Sequence, residues 1–446
     1  MPEIFNDYEP DGGAADVLDE PETGSPSLFR DRSFVGMTAT QFLGAFNDNL
    51  FKQALLLLFV AVPVAEGTRD LQWLGTLVFS VPFILFSGYA GYLSDRNGKR
   101  TVIYLSKVAE IVIMAMGAIL FAIYAMQGVT PPLVAMLSVV LFCMGSQSAF
   151  FGPGKYGILP ELFRERDLPQ ANGIILMTTF LAIIFGSALA GLFFPNLLWA
   201  LGVFCILVAI AGTGTALMVR GVPASAPGLR FEASTLWISR ETRRMLRDDR
   251  PLLNALLASS VFWLGAAMVQ MAVIALGKLQ LGQNEFWTSV LTAAVSIGIA
   301  IGSVVAGEVS RNQFNTRVLK TGVWGLVLFL MLLAPQGWGG RPHLLGYWGS
   351  LIALVALGVF TGMFAVPLQV FLQSRPPAGE KGRMIAAQNL CNWIGITMSA
   401  GLYLASDRVL VMFAWPRSYT FALTALILLT IAILYRPKNT SLKDGT

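Results

Sequence analysis

From about residue 34 to residue 435 the sequence alternates long apolar runs with short polar breaks, and this alternation limits the fold more than any other feature. A helix needs about 20 apolar residues to cross the hydrocarbon core of a bilayer. Twelve runs meet that length or approach it: 34–64, 72–93, 101–126, 133–158, 170–193, 196–219, 252–276, 286–309, 318–335, 348–372, 385–404 and 418–435. In lipid every backbone polar group must be satisfied internally, so such runs fold as helices. Composition agrees. Only 13% of the residues are charged and the mean hydropathy is +0.65, too little charge to cover a soluble domain. The expected fold is an all-α membrane protein with twelve transmembrane helices in two six-helix bundles.

Lysine and arginine orient the spans. With the amino terminus inside, the outer connections hold only Arg69, Lys278, Arg341, Arg408 and Arg417. Lys52 lies within a span, and the remaining basic residues fall on inner segments. Both termini are therefore expected in the cytoplasm, and the same asymmetry accounts for the net charge of +5 without any nucleic-acid partner. The chain divides into an acidic tail (1–33) expected to be disordered, a first bundle (34–219), a linker (220–251), a second bundle (252–435) and a short tail (436–446). The linker mixes Trp237, Met245 and Leu246 with Arg240, Arg243, Arg244 and Arg247. It reads either as a plain connector or as an interfacial helix with its apolar side in lipid.

The two halves echo each other. Phe42-Leu43-Gly44-Ala45 recurs as Trp263-Leu264-Gly265-Ala266, and Gly91, Pro153 and Asn172 match Gly307, Pro367 and Asn389 at similar offsets. Duplicated six-helix halves are a transporter architecture, with substrate held between them near the midplane. Enzyme chemistry has little to draw on: there is one histidine, His343, the three cysteines lie in apolar runs, and no metal-ligand spacing occurs. No metal, cofactor or catalytic residue is expected, and the chain is read as a non-enzyme and a monomer.

Charges inside the spans are the candidate site. Asp48 is about 14 residues into the first span, roughly 20 Å deep by helical rise, and such a charge is costly unless paired or wet. Lys52, four residues on, shares its face; the two form either a structural ion pair or part of a polar cavity extended by Asn47 and Asn49. In span 3, Lys107 and Glu110 are three apart. Glu110 is either a proton carrier or a structural partner of Lys107. Span 4 ends in Gly152-Pro153-Gly154-Lys155-Tyr156-Gly157, a broken helix of the kind that offers charges to a ligand.

Gly91-Tyr92-Leu93-Ser94-Asp95-Arg96-Asn97-Gly98-Lys99-Arg100 resembles the signature loop of the major facilitator superfamily. Gly91 is expected to admit a neighbouring helix, and Asp95, with Arg96, Gly98 and Arg100, to latch an inner gate by capping a helix and pairing with an arginine. A narrower resemblance rests on Phe46-Asn47-Asp48-Asn49, Gly154-Lys155-Tyr156-Gly157-Ile158-Leu159-Pro160-Glu161-Leu162, Ala171-Asn172-Gly173, Val366-Pro367-Leu368 and Ala387-Gln388-Asn389-Leu390. These segments resemble the bacterial lysophospholipid transporter family. That likeness implies inward transfer of lysophospholipid, notably lysophosphatidylethanolamine, across the inner membrane. It also implies re-acylation by a cytoplasmic-face acyltransferase or acyl-carrier-protein synthetase. It places Asp48 against the head-group ammonium and Lys155 against the phosphate, with Asn49, Lys52, Tyr156, Gln270, Asn389 and Asn392 around them. Gln270 and Asn392 stand where the family tends to carry a basic and an acidic residue, as though one ion pair had been lost. Two other readings stay open: a proton-driven exporter of amphipathic compounds using Asp48 or Glu110, and a non-transporting scaffold for an acyltransferase.

Overall fold

The computed structural model describes residues 28–64, 67–163, 168–194, 196–224, 227–228, 238, 240–309, 313–376, 381–435, 437 and 440–441. Its helices, in order, are α1 (Arg32–Phe59), α2 (Gln72–Asn97), α3 (Lys99–Gln127), α4 (Pro131–Gly157), α5 (Leu159–Leu162), α6 (Leu168–Ala190) and α7 (Leu198–Ala216). There follow α8 (Arg240–Asp248), α9 (Arg250–Ala275), α10 (Glu285–Val309), α11 (Thr316–Leu332), α12 (Gly346–Ser374), α13 (Lys381–Met412) and α14 (Tyr419–Leu434). Setting aside short α5 and α8, the long helices among the described residues coincide with the twelve apolar runs. Eight are long and apolar enough to cross a membrane by length and composition alone. Helices α11 and α14 are shorter, with 17 and 16 residues, and α1 is diluted by its own polar residues.

Local signals set the helix starts. Asp31 caps α1, its Oδ1 accepting from the Ser33 and Phe34 amides at 2.7 and 3.1 Å. Thr130, Asp249 and Asn315 cap α4, α9 and α11 in the same way, each satisfying amides that a helix leaves unpaired at its start. Just before α1, Leu28–Arg30 form a 3₁₀ turn. Leu28 is buried with Phe34 and Ala171, so the end of the acidic tail packs on the bundle; residues 1–27 lie outside the described residues.

Two apolar cores form. One is built by α1, α2, α3, α4, α6 and α7 with Ile274 and Ala275 of α9, the other by α9 through α14. Leu246 of α8 is buried in the second core and Met245 packs against it, while Arg243, Arg244 and Arg247 are exposed. The described part of the linker thus turns its apolar side to protein instead of lipid. An even number of crossings returns the chain ends to one side, called here the terminal side. There Arg220, after α7, meets Ser33 and Asp31 at the start of α1.

The tightest helix pair is α10 with α12. A Cβ on Gly298 or Gly302 would lie 2.1 or 1.9 Å from the Val355 or Val359 carbonyl oxygen, and from α12 a Cβ on Gly358 or Gly362 would lie 2.1 Å from the Val295 carbonyl oxygen or 2.5 Å from the Ser303 amide nitrogen. Both helices carry the small-xxx-small spacing that lets backbones touch where lipid offers no hydrophobic drive.

Candidate functional site

Asp48 and Lys52 share a face of α1 but turn to different partners, and no ion pair within 4 Å joins them. Ser148 of α4 donates to Asp48 Oδ2 at 2.5 Å. Oδ1 is buried with no hydrogen-bond partner. Lys52 instead crosses to the second half, where its ammonium donates to Gln270 Oε1 of α9 at 3.4 Å and lies 5.3 Å from the Phe79 ring centroid. Gln270 in turn donates to Gln53 at 3.5 Å. Of the two readings of Asp48 and Lys52, the ion pair is not formed: one side chain makes its contact inside the first bundle and the other between bundles.

Behind Asp48 lies a second charged layer. Lys107 and Glu110 of α3 are ion-paired with side chains 1% exposed. Glu110 also accepts from Asn47 at 2.8 Å and from Gln147 at 3.4 Å. A buried pair survives when extra hydrogen bonds satisfy its remaining valences, and here three donors converge on one carboxylate. Lys107 reaches this depth because Gly44 and Gly212 flank its ammonium, where a Cβ on either would sit 3.1 Å from Nζ. Ser148 and Gln147, adjacent on α4, bridge the two layers, with 3.1 Å between Ser148 Oγ and Gln147 Oε1. Neither was singled out from the sequence, where the only hint is Ser146-Gln147-Ser148 inside an apolar run.

Lys155 is partly exposed on α4, seven residues beyond Ser148 and therefore on the same face, roughly 10 Å further toward the terminal side. It acts electrostatically on Asp48, as do Glu110 and Lys107. Tyr156 follows it in the helix; its side chain lies outside the described residues. Asn49 donates to its own helix at Ala45 O, 2.7 Å away, and Asn389 is exposed, so neither joins Asp48. Asn392 accepts from Ser259 at 3.0 Å. Gln270 is eleven residues further along α9, roughly 16 Å away, so Gln270 and Asn392 are not two halves of one pair.

The signature loop departs from expectation. Nothing lies within 4 Å of a Cβ built on Gly91, so it admits no neighbouring helix. Among the described residues Asp95 pairs with Lys99 at 3.3 Å and not with an arginine, and Lys99 also bonds Glu161 of α5. Gly98, at φ +85°, makes the turn between α2 and α3 in a backbone region that favours glycine. Arg96 bonds Tyr92, and Arg100 reaches Leu217 O at 3.4 Å. These contacts fasten the loop within the first bundle.

Among the described residues, a series of side-chain contacts between the bundles runs from the middle to the side opposite the termini. Trp393 of α13 stacks on Phe83 of α2 with centroids 3.7 Å apart. Thr397 donates to Ser80 at 2.9 Å. Furthest out, Tyr403 donates to Asp70 Oδ2 at 2.7 Å, and Gln72 donates to the Met271 carbonyl at 3.3 Å. Asp70, before α2 begins, has its pKa raised to about 6 chiefly by burial, against hydrogen bonds from Gln72 and Tyr403 that lower it.

Two halves closing over a charged site in α1 and α4 match a known pattern: residues 37–400 fit the Major Facilitator Superfamily model. The chain belongs to that superfamily. Within it, the chain is 27% identical over 383 residues to "Lysophospholipid transporter LplT" of Klebsiella pneumoniae (strain 342), covering 85% of this chain and 89% of that protein. The LplT protein of Enterobacter sp. (strain 638) is 29% identical over 380 residues, covering 83% and 88%. The resemblance read from the motifs therefore extends along most of the chain. In three dimensions the crystal structure of the POT family transporter PepTSo superposes with a TM-score of 0.67 at 12% identity, covering 91% of this chain and 97% of that one. At that identity the likeness is one of fold: an all-α, multi-pass membrane protein of the major facilitator type.

Proposed function

We propose that this chain is a transporter that moves lysophospholipid, notably lysophosphatidylethanolamine, inward across the bacterial inner membrane by alternating access. The observation that carries the reading is the placement of Asp48, held by Ser148 and with one buried and unsatisfied carboxylate oxygen, and of Lys155 about two turns beyond Ser148 along α4. A head group with an ammonium at one end and a phosphate at the other matches those charges in kind and order. The names of the relatives support the substrate class. The basic residues on the inner connections support cytoplasmic termini. On this reading the chain works as a monomer and is no enzyme, and its product is re-acylated by a partner acyltransferase or acyl-carrier-protein synthetase. The proton-driven exporter, with Asp48 or Glu110 as carrier, has weaker support at Glu110, which is 1% exposed and already accepts from three donors.

The test is flux of labelled lysophosphatidylethanolamine in proteoliposomes of known protein orientation. Transfer toward the terminal side, lowered by Asp48→Asn and by Lys155→Gln, is the expected result. Export driven by a proton gradient would support the second reading. Absence of flux with retained acyltransferase binding would support a scaffold.

A further inference from the structure

The hydroxyl of Ser148 has one hydrogen and two acceptors within reach: Asp48 Oδ2 at 2.5 Å and Gln147 Oε1 at 3.1 Å. The orientation of Gln147 is not free. Its amide nitrogen donates to Glu110 Oε2 at 3.4 Å, which leaves Oε1 facing Ser148. Glu110 in turn is held by Lys107 and by Asn47, and Asn47 is anchored on the Cys205 carbonyl at 3.2 Å. On the other flank α4 is fixed to α2 three residues before Ser148, where a Cβ on Gly145 would lie 2.5 Å from the Phe79 carbonyl oxygen. Ser148 therefore projects from a rigid platform, and its hydrogen has two destinations.

We infer that Ser148 is a positioning residue for the carboxylate that takes the head-group ammonium: by holding Oδ2 of Asp48 against α4 it leaves Oδ1, which has no hydrogen-bond partner, as the oxygen offered to a ligand cation, and Gln147 competes for the hydrogen that does so. This rests on the reading of Asp48 as the ammonium partner. Asp48 lies nearer to Ser148 than Gln147 does, and hydrogen bonds to charged groups outweigh those to neutral ones, so the carboxylate draws the hydrogen of Ser148 to itself. The charged groups facing Asp48 are Lys52 on its own helix, Lys107 and Glu110 on α3, and Lys155 on α4. Ser148 gives selectivity to the cation end of the ligand and leaves the phosphate end to other groups.

The experiment compares two probes in proteoliposomes of the full chain: lysophosphatidylethanolamine, which carries an ammonium, and lysophosphatidylglycerol, which does not. Ser148→Ala should lower the ratio of their uptake rates by roughly three- to tenfold, the worth of one hydrogen bond. Ser148→Thr, which keeps the hydroxyl, should restore most of it. If Ser148→Ala does not fold, Ser148→Cys keeps the volume and weakens the donor, and the same fall in ratio is expected. A merely structural serine would slow both probes equally, and an unchanged ratio in Ser148→Ala or Ser148→Cys overturns the inference. Asp48→Asn separates the two levels. If it lowers the ratio and the Ser148 variants do not, only the role of Ser148 fails. If Asp48→Asn leaves the ratio intact, the reading of Asp48 as the ammonium partner fails with it.

Discussion

Tyr403 and Asp70, 333 residues apart in sequence, meet at 2.7 Å where α13 of one bundle crosses the start of α2 of the other. Both are buried, and Gln72 shares the contact through its own bonds to Asp70 and Met271. This is a closure of the side opposite the termini made from one phenol, one carboxyl and one amide. Tyr403→Phe removes the hydroxyl and leaves the ring. A hydrogen bond to a charged group is worth about 1.5–3 kcal/mol, so a cysteine placed at Leu279, which follows α9 and lines the same crevice as Asp70, should become labelled at least tenfold faster. Unchanged labelling would mean that the remaining contacts, Gln72 with Met271, Thr397 with Ser80 and the stacked pair Phe83–Trp393, hold that side without the phenol.

The same contact makes closure depend on pH. Asp70 has a pKa of about 6 in the closed structure, raised mainly by burial and further by Asp407, against 3.8 for the free group. The closed state therefore takes up a proton more readily than an opened one. Closure is favoured as pH falls through about 6 toward 4, and that gain is absent at neutral pH and above. Labelling at the opposite side should slow between pH 7 and pH 4.5 in the parent protein. Asp70→Asn should flatten the profile.

Because Asp48 and Lys52 have separate partners, neutralising both should not repair the loss of one. Lys52→Gln breaks a contact with Gln270 across the bundles; Asp48→Asn alters the site beside Ser148. Flux in the double variant should be no higher than in Asp48→Asn alone. Recovery to parental flux would show that the two act as an ion pair during the cycle.

Glycines separate by what lies next to them. A Cβ at Gly302 would stand 1.9 Å from a carbonyl oxygen of α12, whereas at Gly91 it meets nothing within 4 Å. Gly302→Val should cost several kcal/mol or prevent folding, since overpacking of even modest size costs about 1–3 kcal/mol. Gly91→Ala should leave the unfolding temperature unchanged or raise it slightly, helix-interior glycine being about 0.5–1 kcal/mol worse than alanine. Tryptophan fluorescence during heating in detergent reads both.

The tail should show a sharp boundary. Removing residues 1–27 should leave flux and stability nearly intact. Removing residues 1–31 also takes away Leu28, which packs with Phe34, and the Asp31 cap with its pairing to Arg220. Loss of a cap alone costs about 1 kcal/mol, so the longer deletion should lower the unfolding temperature. Equal behaviour of the two truncations would show that the turn at Leu28–Arg30 adds nothing.

Hydropathy made the number and order of the long helices readable, because lipid imposes a length on each element whatever its neighbours. The depth of Asp48 and the charge of Lys107 with Glu110 were legible for the same reason: an ionisable side chain in an apolar run is conspicuous. The break expected around Lys155 does not form there: α4 runs through Pro153 and Lys155 to Gly157 and is capped at Ile158. The choice of partners was not. Asp48 turns to Ser148, a hundred residues away, and not to Lys52, four away, because packing of α1 on α4 overrides local spacing. Gly91 looked like a point of close approach and is open, while the real seam at Gly298 and Gly302 was hidden among 44 glycines. Tyr403 and Asp70 are joined only once two bundles dock, which no local pattern encodes.

The seam between α10 and α12 also limits how a lipid tail could leave the interior. Where two backbones touch, no side chain remains that could swing aside and open a gap the width of a hydrocarbon chain. These two helices form a wall without a door and must tilt as a single stave. Any sideways passage has to lie along flanks lined by rotatable side chains, so bulk added to those flanks, and not to this pair, is what would block a tail while sparing a head group.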